Sequence, residues 1–561
     1  MLLSVFFVSS RSRTFLIYFS CRFVENTVSL QVINSTPMPF GNLILHCPYT
    51  SLRKRWGQVL LHSNYYYNFL YITQHFTKMS PITISATVLV YFLLLFTVSY
   101  LAGRKSDSSG FFGGRKSPWY IVSIATMGSF ISGVTFVSVP GMVNEKGFSY
   151  LQMVMGFVVG QMIIAFVLVP LFYRMNLVSV YQYLEDRFGV KSYKTGAWFF
   201  FISKMLGASV RLFLVCLTLQ LLVFEPAGLP FALNVALTVL VVYLFTFRGG
   251  VKSVIWTDVL KSLCLISSVV LCIVFIAKYL DLGFGSIVGT IFSNEHSQIF
   301  FFDDVNDGRF FFKQFLAGVF TMIATTGLDQ DMMQRNLNCQ NYRDSQKNMV
   351  VSIICQFFIN LLFLMLGVLL YMFAQKVGIT ERGDNLFPAI ATSTAVPLVV
   401  GILFIVGLFA SAYSAAGSAL TALTTSFTLD ILQADKKADK GADHLTTTRK
   451  KVHVAMALLM AVVIFVIGEL NNTSVINAVY VLASYTYGPI LGMFAFGIFI
   501  KKSVRDRFVP VAAIVAPVLC YILQTNSEAW FNGYKFSYEL LIFNGLFTFI
   551  GLCLLIRKKQ A

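Results

Sequence analysis

Residues 127–136 read MGSFISGVTF and lie in the middle of an apolar run over residues 119–143. The stretch places two glycines and two serines inside a segment long enough to cross a bilayer, and Pro140 and Gly141 follow it. Such a segment is predicted to unwind at membrane depth, where its carbonyl groups face a cavity and can bind a hard cation. The alternative is a helix-packing face of small residues, and the residues alone leave both open.

The composition of the chain places this stretch in a membrane protein. Of its 561 residues, 57% are hydrophobic and only 12% are charged, whereas soluble domains carry about 25% charged residues. So little charge does not cover the surface of a soluble protein of this length, which excludes a soluble multidomain enzyme and a disordered chain. The composition predicts an all-α polytopic membrane protein.

Apolar runs of about 20 residues, the length that spans a bilayer core, recur along the chain from Met79 onward. We count thirteen of them and name them helices I to XIII, so that the quoted stretch lies in helix II. Their predicted ranges, in order, are 82–103, 119–143, 149–172, 195–223, 230–247, 252–280, 311–333, 349–375, 396–430, 452–470, 474–500, 508–525 and 537–556.

The basic residues of the connecting segments predict the topology. Segments that follow odd-numbered helices carry 25 Lys and Arg residues, and segments that follow even-numbered helices carry five. The shortest segment of the first set is the predicted loop 248–251. Because cytoplasmic loops are enriched in basic residues, the first set is predicted to be cytoplasmic. Helix I then begins outside the cell, and the C-terminus lies in the cytoplasm. These loops explain much of the net charge of +18, so no nucleic-acid partner is expected.

Residues 1–78 differ from the rest of the chain. They mix polar and aromatic residues without a period, and they carry seven basic residues against one acidic residue. Met79 directly precedes a clean apolar run, so we expect translation to begin there. Residues 1–78 are then a non-native or disordered N-terminal extension, and 79–561 form the transmembrane domain. The alternative is an ordinary N-terminal tail.

Helices IX and VII carry two more groups of polar residues at membrane depth. In helix IX, the hydroxyl residues recur at helical spacing on one face, and they are Ser411, Ser414, Ser418 and Thr421. Hydroxyl and carbonyl oxygens suit hard cations such as sodium, although close packing of small residues explains the pattern equally well. Helix VII ends in TTGLDQDMMQR over 325–335, and its acids mark either a functional site or the plain end of the helix.

Three isolated charges also lie within predicted helices. Asp258 lies about 9 Å into helix VI, at about 1.5 Å per residue, and we expect it to pair with a cation, with Arg211 as the candidate. Lys204 lies seven residues before Arg211 on the same face of helix IV. We expect Lys204 to extend towards the cytoplasmic interface.

Five stretches, in this order and spacing, resemble the sodium:solute symporter family over about residues 79–560. They are GSFISGVTF (128–136), VYQYLEDRFG (180–189), GGVKSVIWTD (249–258), GLDQDMMQRNL (327–337) and the serine-rich helix IX that ends FTLD (427–430). The resemblance implies a fold of the leucine-transporter type with two inverted five-helix repeats. Here the repeats would be helices II–VI, about 119–280, and helices VII–XI, about 311–500, with the broken helices II and VII lining a midplane site.

The resemblance also implies a sodium site between helices II and IX. Carried onto this chain, it consists of the backbone carbonyls of Gly128, Ile131 and Ser411 and the hydroxyl of Ser414. The family usually has a Ser or Thr at the next position, where this chain has Ala415, so one oxygen ligand is missing. Asp258 matches an acid that the family associates with cation coupling.

Substrate contacts vary within this family, and the resemblance implies only candidates. They are Ser132, Thr135 and Phe136 on helix II, Thr326 and Asp329 on helix VII, and Tyr480 and Tyr485 on helix XI.

The implied function is sodium-coupled symport, in which a small organic solute is imported by alternating access and Na⁺ is the coupling ion. The expected location is the plasma membrane or the bacterial inner membrane. The chain has no GxxxxGK[ST], HExxH or GxSxG motif, so an enzyme is not expected. Ala415 keeps a proton-coupled or uncoupled transporter open as the alternative. A transporter-like sensor is disfavoured, because only five residues follow the segment of helix XIII.

Overall fold

The computed structural model divides the chain into two units, Met1–Ile72 and Thr73–Ala561. In the first unit, strand β1 (Phe19–Val24) pairs antiparallel with strand β2 (Thr27–Val32). The interpretation of 1–78 as an extension stays a prediction. The structure describes residues 19–24, 27–32, 81–103, 118–175, 177, 179–337, 339–393, 395–434, 442–470 and 475–557.

The second unit is built of helices, and helical backbone covers every predicted apolar run. Three of the helices are broken: helix II (Trp119–Phe130 and Gly133–Gly141), helix VII (Phe311–Met322 with a π-helical turn Ile323–Gly327, then Gln330–Leu337) and helix XI (Val475–Thr486 and Gly488–Phe499). The others are Pro81–Gly103 (I), Tyr150–Arg174 (III), Val190–Leu219 (IV), Phe231–Tyr279 (V and VI), Tyr342–Val377 (VIII), Leu398–Ile431 (IX), Ala442–Leu470 (X), Val509–Thr525 (XII) and Leu540–Leu554 (XIII).

Each predicted run contains an apolar helical segment, and the segments of helices V and VI lie on one continuous helix. Among the described residues, seven helices are long and apolar enough to cross a membrane, and three bent pairs pass the same test as single spans. Three shorter apolar helices, Thr83–Leu94, Phe231–Leu244 and Leu540–Leu554, fall on predicted helices I, V and XIII. The all-α polytopic fold is therefore confirmed, and the protein is an integral membrane protein.

The predicted loop at 248–251 is wrong, because helical backbone continues through it from Phe231 to Tyr279. Gly249 and Gly250 each lower helix propensity by about 1 kcal/mol. They keep their N–H donors, however, and so do not end a helix as proline does. Asp258 lies on this helix with its side chain outside the described residues, so its pairing with a cation stays a prediction.

Helices II and VII break in different ways. In helix II, Ile131 and Ser132 have extended backbone, and the two halves differ in direction by 49°. The Ser132 hydroxyl accepts a hydrogen bond from the N–H of Thr135 at 3.3 Å and so caps the second half. In helix VII the halves differ by 70°, and the Asp329 carboxylate accepts from the N–H of Met332 at 3.1 Å. The predicted unwinding of helix II is confirmed.

Helices III and VII pack with their backbones in contact. A side chain at Gly318 would collide with the carbonyl of Met153, and one at Gly156 would collide with the carbonyl of Phe315. Small residues allow this close approach between helices in lipid, where dispersion contacts drive association. The contact holds the first half of helix VII firmly beside helix III and leaves the second half to bend away.

Candidate transport site

A cavity of about 160 Å³ lies where the two broken helices II and VII meet helices IV and XI. Five of the seven predicted substrate residues line this cavity: Ser132, Thr135, Thr326, Asp329 and Tyr480. Its wall combines hydroxyl groups, charged groups and aromatic rings at membrane depth, which suits a small polar solute.

Phe136 and Tyr485 do not line this cavity. The Phe136 ring is fully buried, with its centroid 5.1 Å from that of Phe387 and 5.3 Å from that of Phe404. The Tyr485 hydroxyl bonds to Gln524 of helix XII. Tyr485 follows Tyr480 by five residues, so it lies about 140° further around the helix and faces away.

The break in helix II lies against helix IX. The Ser411 hydroxyl donates a hydrogen bond to the carbonyl oxygen of Ile131 at 3.1 Å, and both residues are buried. Ser414 is also buried, and Gly128 lies in the last turn of the first half of helix II. The carbonyls and hydroxyls that the resemblance implies for sodium thus belong to two segments in direct contact.

Lys204 of helix IV forms a buried ion-pair cluster with helix VII. Its Nζ lies 3.2 Å from an Asp329 carboxylate oxygen and 2.9 Å from an Asp331 carboxylate oxygen. The exposed fractions of the Lys204 and Asp329 side chains are only 8% and 3%. The expectation that Lys204 extends to the cytoplasmic interface is therefore wrong. Two carboxylates lie within its reach, and leaving either without a cation inside the protein is costly.

Arg335 extends this cluster to helices II and IX. Its guanidinium donates to the hydroxyls of Ser129 and Ser418, and its Nε lies 3.5 Å from Asp331. Ser418 in turn donates to Asp331 at 2.8 Å. This guanidinium therefore bridges helices II and IX, the same two helices as the implied sodium site. On helix IX, its partner Ser418 lies one helical turn after Ser414.

Two tyrosine hydroxyls of helix XI form hydrogen bonds with other helices of the site. The Tyr487 hydroxyl donates to Asp329 at 2.7 Å, so this carboxylate is held by helices IV and XI together. The hydroxyls of Tyr150 and Tyr480 share a hydrogen bond of 2.8 Å between helices III and XI. Tyr480 and Tyr487, seven residues apart, face the same cavity.

Arg211 is the second basic residue of the cavity wall, two turns from Lys204 on helix IV. Within the part of the chain that the structure describes, Arg211 makes no hydrogen bond or ion pair. Asp329 and Asp331 are both engaged with Lys204. A guanidinium that faces a cavity and has no anionic partner among the described residues can form paired hydrogen bonds with an anionic group.

Comparison with known proteins agrees with this architecture. The sequence model of the sodium:solute symporter family matches residues 111–506. The chain belongs to this family. A sodium/sialic acid symporter of Proteus mirabilis is 22% identical over 80% of this chain and 91% of its own length. The human sodium/iodide cotransporter is 23% identical over 71% of this chain and 62% of its own length.

A solved structure shows the fold of this sodium:solute symporter. A Na⁺-coupled sialic acid symporter in a substrate-bound, outward-open state superposes with a TM-score of 0.70 at 20% identity, over 84% of this chain and 97% of its own. The fold is therefore the leucine-transporter type with a five-plus-five inverted repeat. The repeat bounds 119–280 and 311–500 stay a prediction, although each begins with a sharply broken helix.

Sequence reasoning missed part of the symporter's site. Gln356 and Tyr487 line the cavity, and Arg335 lies behind it, but none of the three was predicted as a site residue. A signal existed for Tyr487, because it lies seven residues after Tyr480 and therefore on the same face. For Arg335 the signal was a basic residue beside acids at the end of a membrane-spanning helix.

Proposed function

We propose that the protein imports a small organic anion by sodium-coupled symport. The observation that carries the anionic substrate is Arg211, a guanidinium on the cavity wall that makes no ion pair among the described residues. Family membership supports sodium coupling and transport rather than catalysis. The two named relatives transport sodium together with sialic acid or iodide, and both solutes are anions.

The solute would bind between Arg211 and the hydroxyls of helices II and VII. A carboxylate accepts two parallel N–H···O bonds from a guanidinium, which fixes orientation as well as charge. Ser132, Thr135 and Thr326 then supply hydroxyls for the remaining polar groups of the solute. Tyr480 supplies a ring and a hydroxyl to the same cavity. Phe136 and Tyr485, which face other surroundings, would act only through packing.

Sodium would bind at the contact of helices II and IX, through the carbonyls of Gly128, Ile131 and Ser411 and the hydroxyl of Ser414. These are neutral oxygen donors, the class that a hard monovalent cation prefers. Ala415 supplies no oxygen at the position where the family usually has one, so sodium affinity is modest. Asp258 remains our candidate for a further coupling residue.

Coupling would follow from the helix that the two sites share. The break of helix II supplies Ile131 to the sodium site and Ser132 to the solute cavity, one residue apart. Sodium that holds Ile131 against helix IX also holds Ser132 in the cavity wall. Each ligand therefore raises the affinity of the other by the same factor. Helix I would begin outside the cell and the C-terminus would lie in the cytoplasm of the plasma or bacterial inner membrane.

The test is uptake into proteoliposomes that contain the purified protein. Labelled sialic acid, lactate and iodide are offered with an inward sodium gradient, with glucose as the neutral control solute. We expect an anion to accumulate only with sodium. Accumulation of glucose alone would overturn the anionic substrate, and equal uptake driven by a pH gradient without sodium would favour the proton-coupled alternative.

Two substitutions separate the sites. Arg211→Gln is expected to raise the KM for the anion roughly 10- to 100-fold, the effect of losing a charge-assisted hydrogen bond, whereas Arg343→Gln at an exposed position on helix VIII leaves it unchanged. Ser414→Ala is expected to lower apparent sodium affinity roughly tenfold. Ala415→Ser should raise it, while Ala419→Ser, one turn further along helix IX, should not.

A further inference from the structure

The break in helix XI lacks a backbone donor that another helix supplies. Pro489 follows Tyr485 by four residues, so the N–H that would bond the Tyr485 carbonyl in a continuous helix does not exist. Helix XI bends by 47° at this point. An unpaired carbonyl inside the membrane is costly, because lipid offers no hydrogen-bond donor.

Asn544 of helix XIII makes the missing bond. Its side-chain Nδ2 donates to the carbonyl oxygens of Ser484 and Tyr485, each at 2.9 Å, and the side chain is fully buried. Gly488 allows this approach, because a Cβ at that position would overlap the Asn544 amide. Pro489 therefore leaves the Tyr485 carbonyl without its helical donor, and Gly488 leaves room for the Asn544 amide that replaces it.

The two halves of helix XI have different surroundings. The second half, Gly488–Phe499, packs along helix XIII, where a Cβ at Gly492 would collide with the carbonyl of Gly545. The first half, Val475–Thr486, lies over the cavity and carries Tyr480. Asn544 holds the last turn of this first half, directly before Tyr487.

We infer that Asn544 is a positioning residue for transport, which sets the placement of Tyr480 and Tyr487 from outside the cavity. It does not touch the solute space itself. Through the break it fixes the residue whose hydroxyl bonds Asp329 and the half-helix whose Tyr480 bonds Tyr150. Helix XIII, which lies outside the two predicted repeats, thereby acts as the support of a cavity-lining helix. The effect on transport rests on the proposed function, but the effect on helix XI does not.

A double-mutant cycle on hydrogen exchange tests the inference without any solute. Asn544→Leu removes both donors at similar volume and should speed amide exchange in residues 475–486 roughly tenfold, with no change in 190–219. In Pro489→Ala, the restored N–H can bond the Tyr485 carbonyl. The same Asn544→Leu change should then have less than about a threefold effect. Equal effects in both backgrounds would overturn the inference.

Two further variants complete the test. Thr548→Val, one turn after Asn544 on helix XIII, removes a hydroxyl that bonds only within its own helix, and it should leave exchange in 475–486 unchanged. If Asn544→Leu does not fold, Asn544→Ser replaces it in the same cycle. A smaller effect in the Pro489→Ala background then supports the inference, and equal effects in both backgrounds overturn it.

Transport then provides the functional readout. Asn544→Leu should raise the KM of the transported anion at least fivefold with a smaller change in maximal rate, and Pro489→Ala should restore part of the loss. An unchanged KM in a variant with altered exchange would reject the positioning role alone. Absence of sodium-driven uptake in the wild-type protein would reject the proposed function and leave the exchange result standing.

Discussion

Helices II and VII are both broken inside the membrane, yet opposite chemistry stabilises the two breaks. The break in helix II lies in residues 127–136, which carry no charge, and its only side-chain cap is the Ser132 hydroxyl. The break in helix VII leads directly into Asp329, Asp331 and Arg335, which bond to helices II, IV, IX and XI. The two helices are both broken, but their breaks are stabilised by different groups and therefore suit different roles.

The division has a physical reason. Neutral carbonyls and hydroxyls are cheap enough to bury that they can exchange a protein partner for a cation during each transport cycle. Carboxylates and guanidinium groups that are paired away from water are costly to separate, so they hold their helices in place. Under the proposed function, helix II is thus suited to bind and release sodium, and the second half of helix VII, Gln330–Leu337, is suited to act as a fixed connection.

Lys204→Met should show the largest effect of breaking this comparison. The buried Asp329 and the partly buried Asp331 would both lose the lysine. We expect a loss of roughly 3–5 kcal/mol of stability, seen as loss of the folded species in size-exclusion chromatography. Lys347→Met, at an exposed pair with Asp344, should cost less than about 1 kcal/mol. If both substitutions cost the same, the helix VII cluster is not a fixed connection.

Tyr487→Phe should show the next largest effect. It removes the hydroxyl that donates to Asp329 at 2.7 Å, and a hydrogen bond to a charged group contributes about 1.5–3 kcal/mol. The melting temperature in detergent is the measurement, with Tyr485→Phe as the matched control on the opposite face of helix XI. Similar losses in both variants would mean that the helix VII break does not depend on helix XI.

Ser132→Ala tests the neutral break of helix II. Loss of the cap should cost about 1 kcal/mol, visible as a lower melting temperature. Ser138→Ala, in the same half-helix, is the control. The Ser138 hydroxyl has no hydrogen-bond partner among the described residues. A larger cost for Ser138→Ala would show that the cap does not stabilise this break.

Ser411→Ala should have the smallest effect and sharpens the roles within the sodium site. The resemblance implies the Ser411 carbonyl as ligand, whereas its hydroxyl donates to the Ile131 carbonyl. Removing the hydroxyl should therefore change apparent sodium affinity by less than about twofold, in contrast to Ser414→Ala. A loss as large as that of Ser414→Ala would make the Ser411 hydroxyl a ligand.

The sequence predicted the spans well and the pairing of charges poorly. Thirteen apolar runs were readable because bilayer thickness sets helix length for each segment separately. The continuous helix through 248–251 was missed, since two glycines weaken a helix without removing a donor. Lys204 was assigned to the interface because its partners, Asp329 and Asp331, lie more than a hundred residues away.

In the candidate site, too, the correctly predicted residues mostly carry a local sequence signal, and a supporting residue without one was missed. Five of the seven substrate candidates line the cavity, and four of them lie at or beside breaks that nearby glycine, serine and threonine residues indicate. Tyr485 does not line the cavity, because it lies about 140° further around helix XI than Tyr480. Asn544, which supports helix XI from another helix, had no local signal at all.

The sequence by itself determined that this protein spans the membrane, where its helices lie and that helix II unwinds, since those properties depend on local hydrophobicity and backbone chemistry. Only the tertiary structure decided which charges neutralise one another, which faces line the cavity, and that Arg211 faces this cavity with no ion pair among the described residues. Those outcomes depend on distances between helices that are remote in sequence. No local pattern encodes these distances.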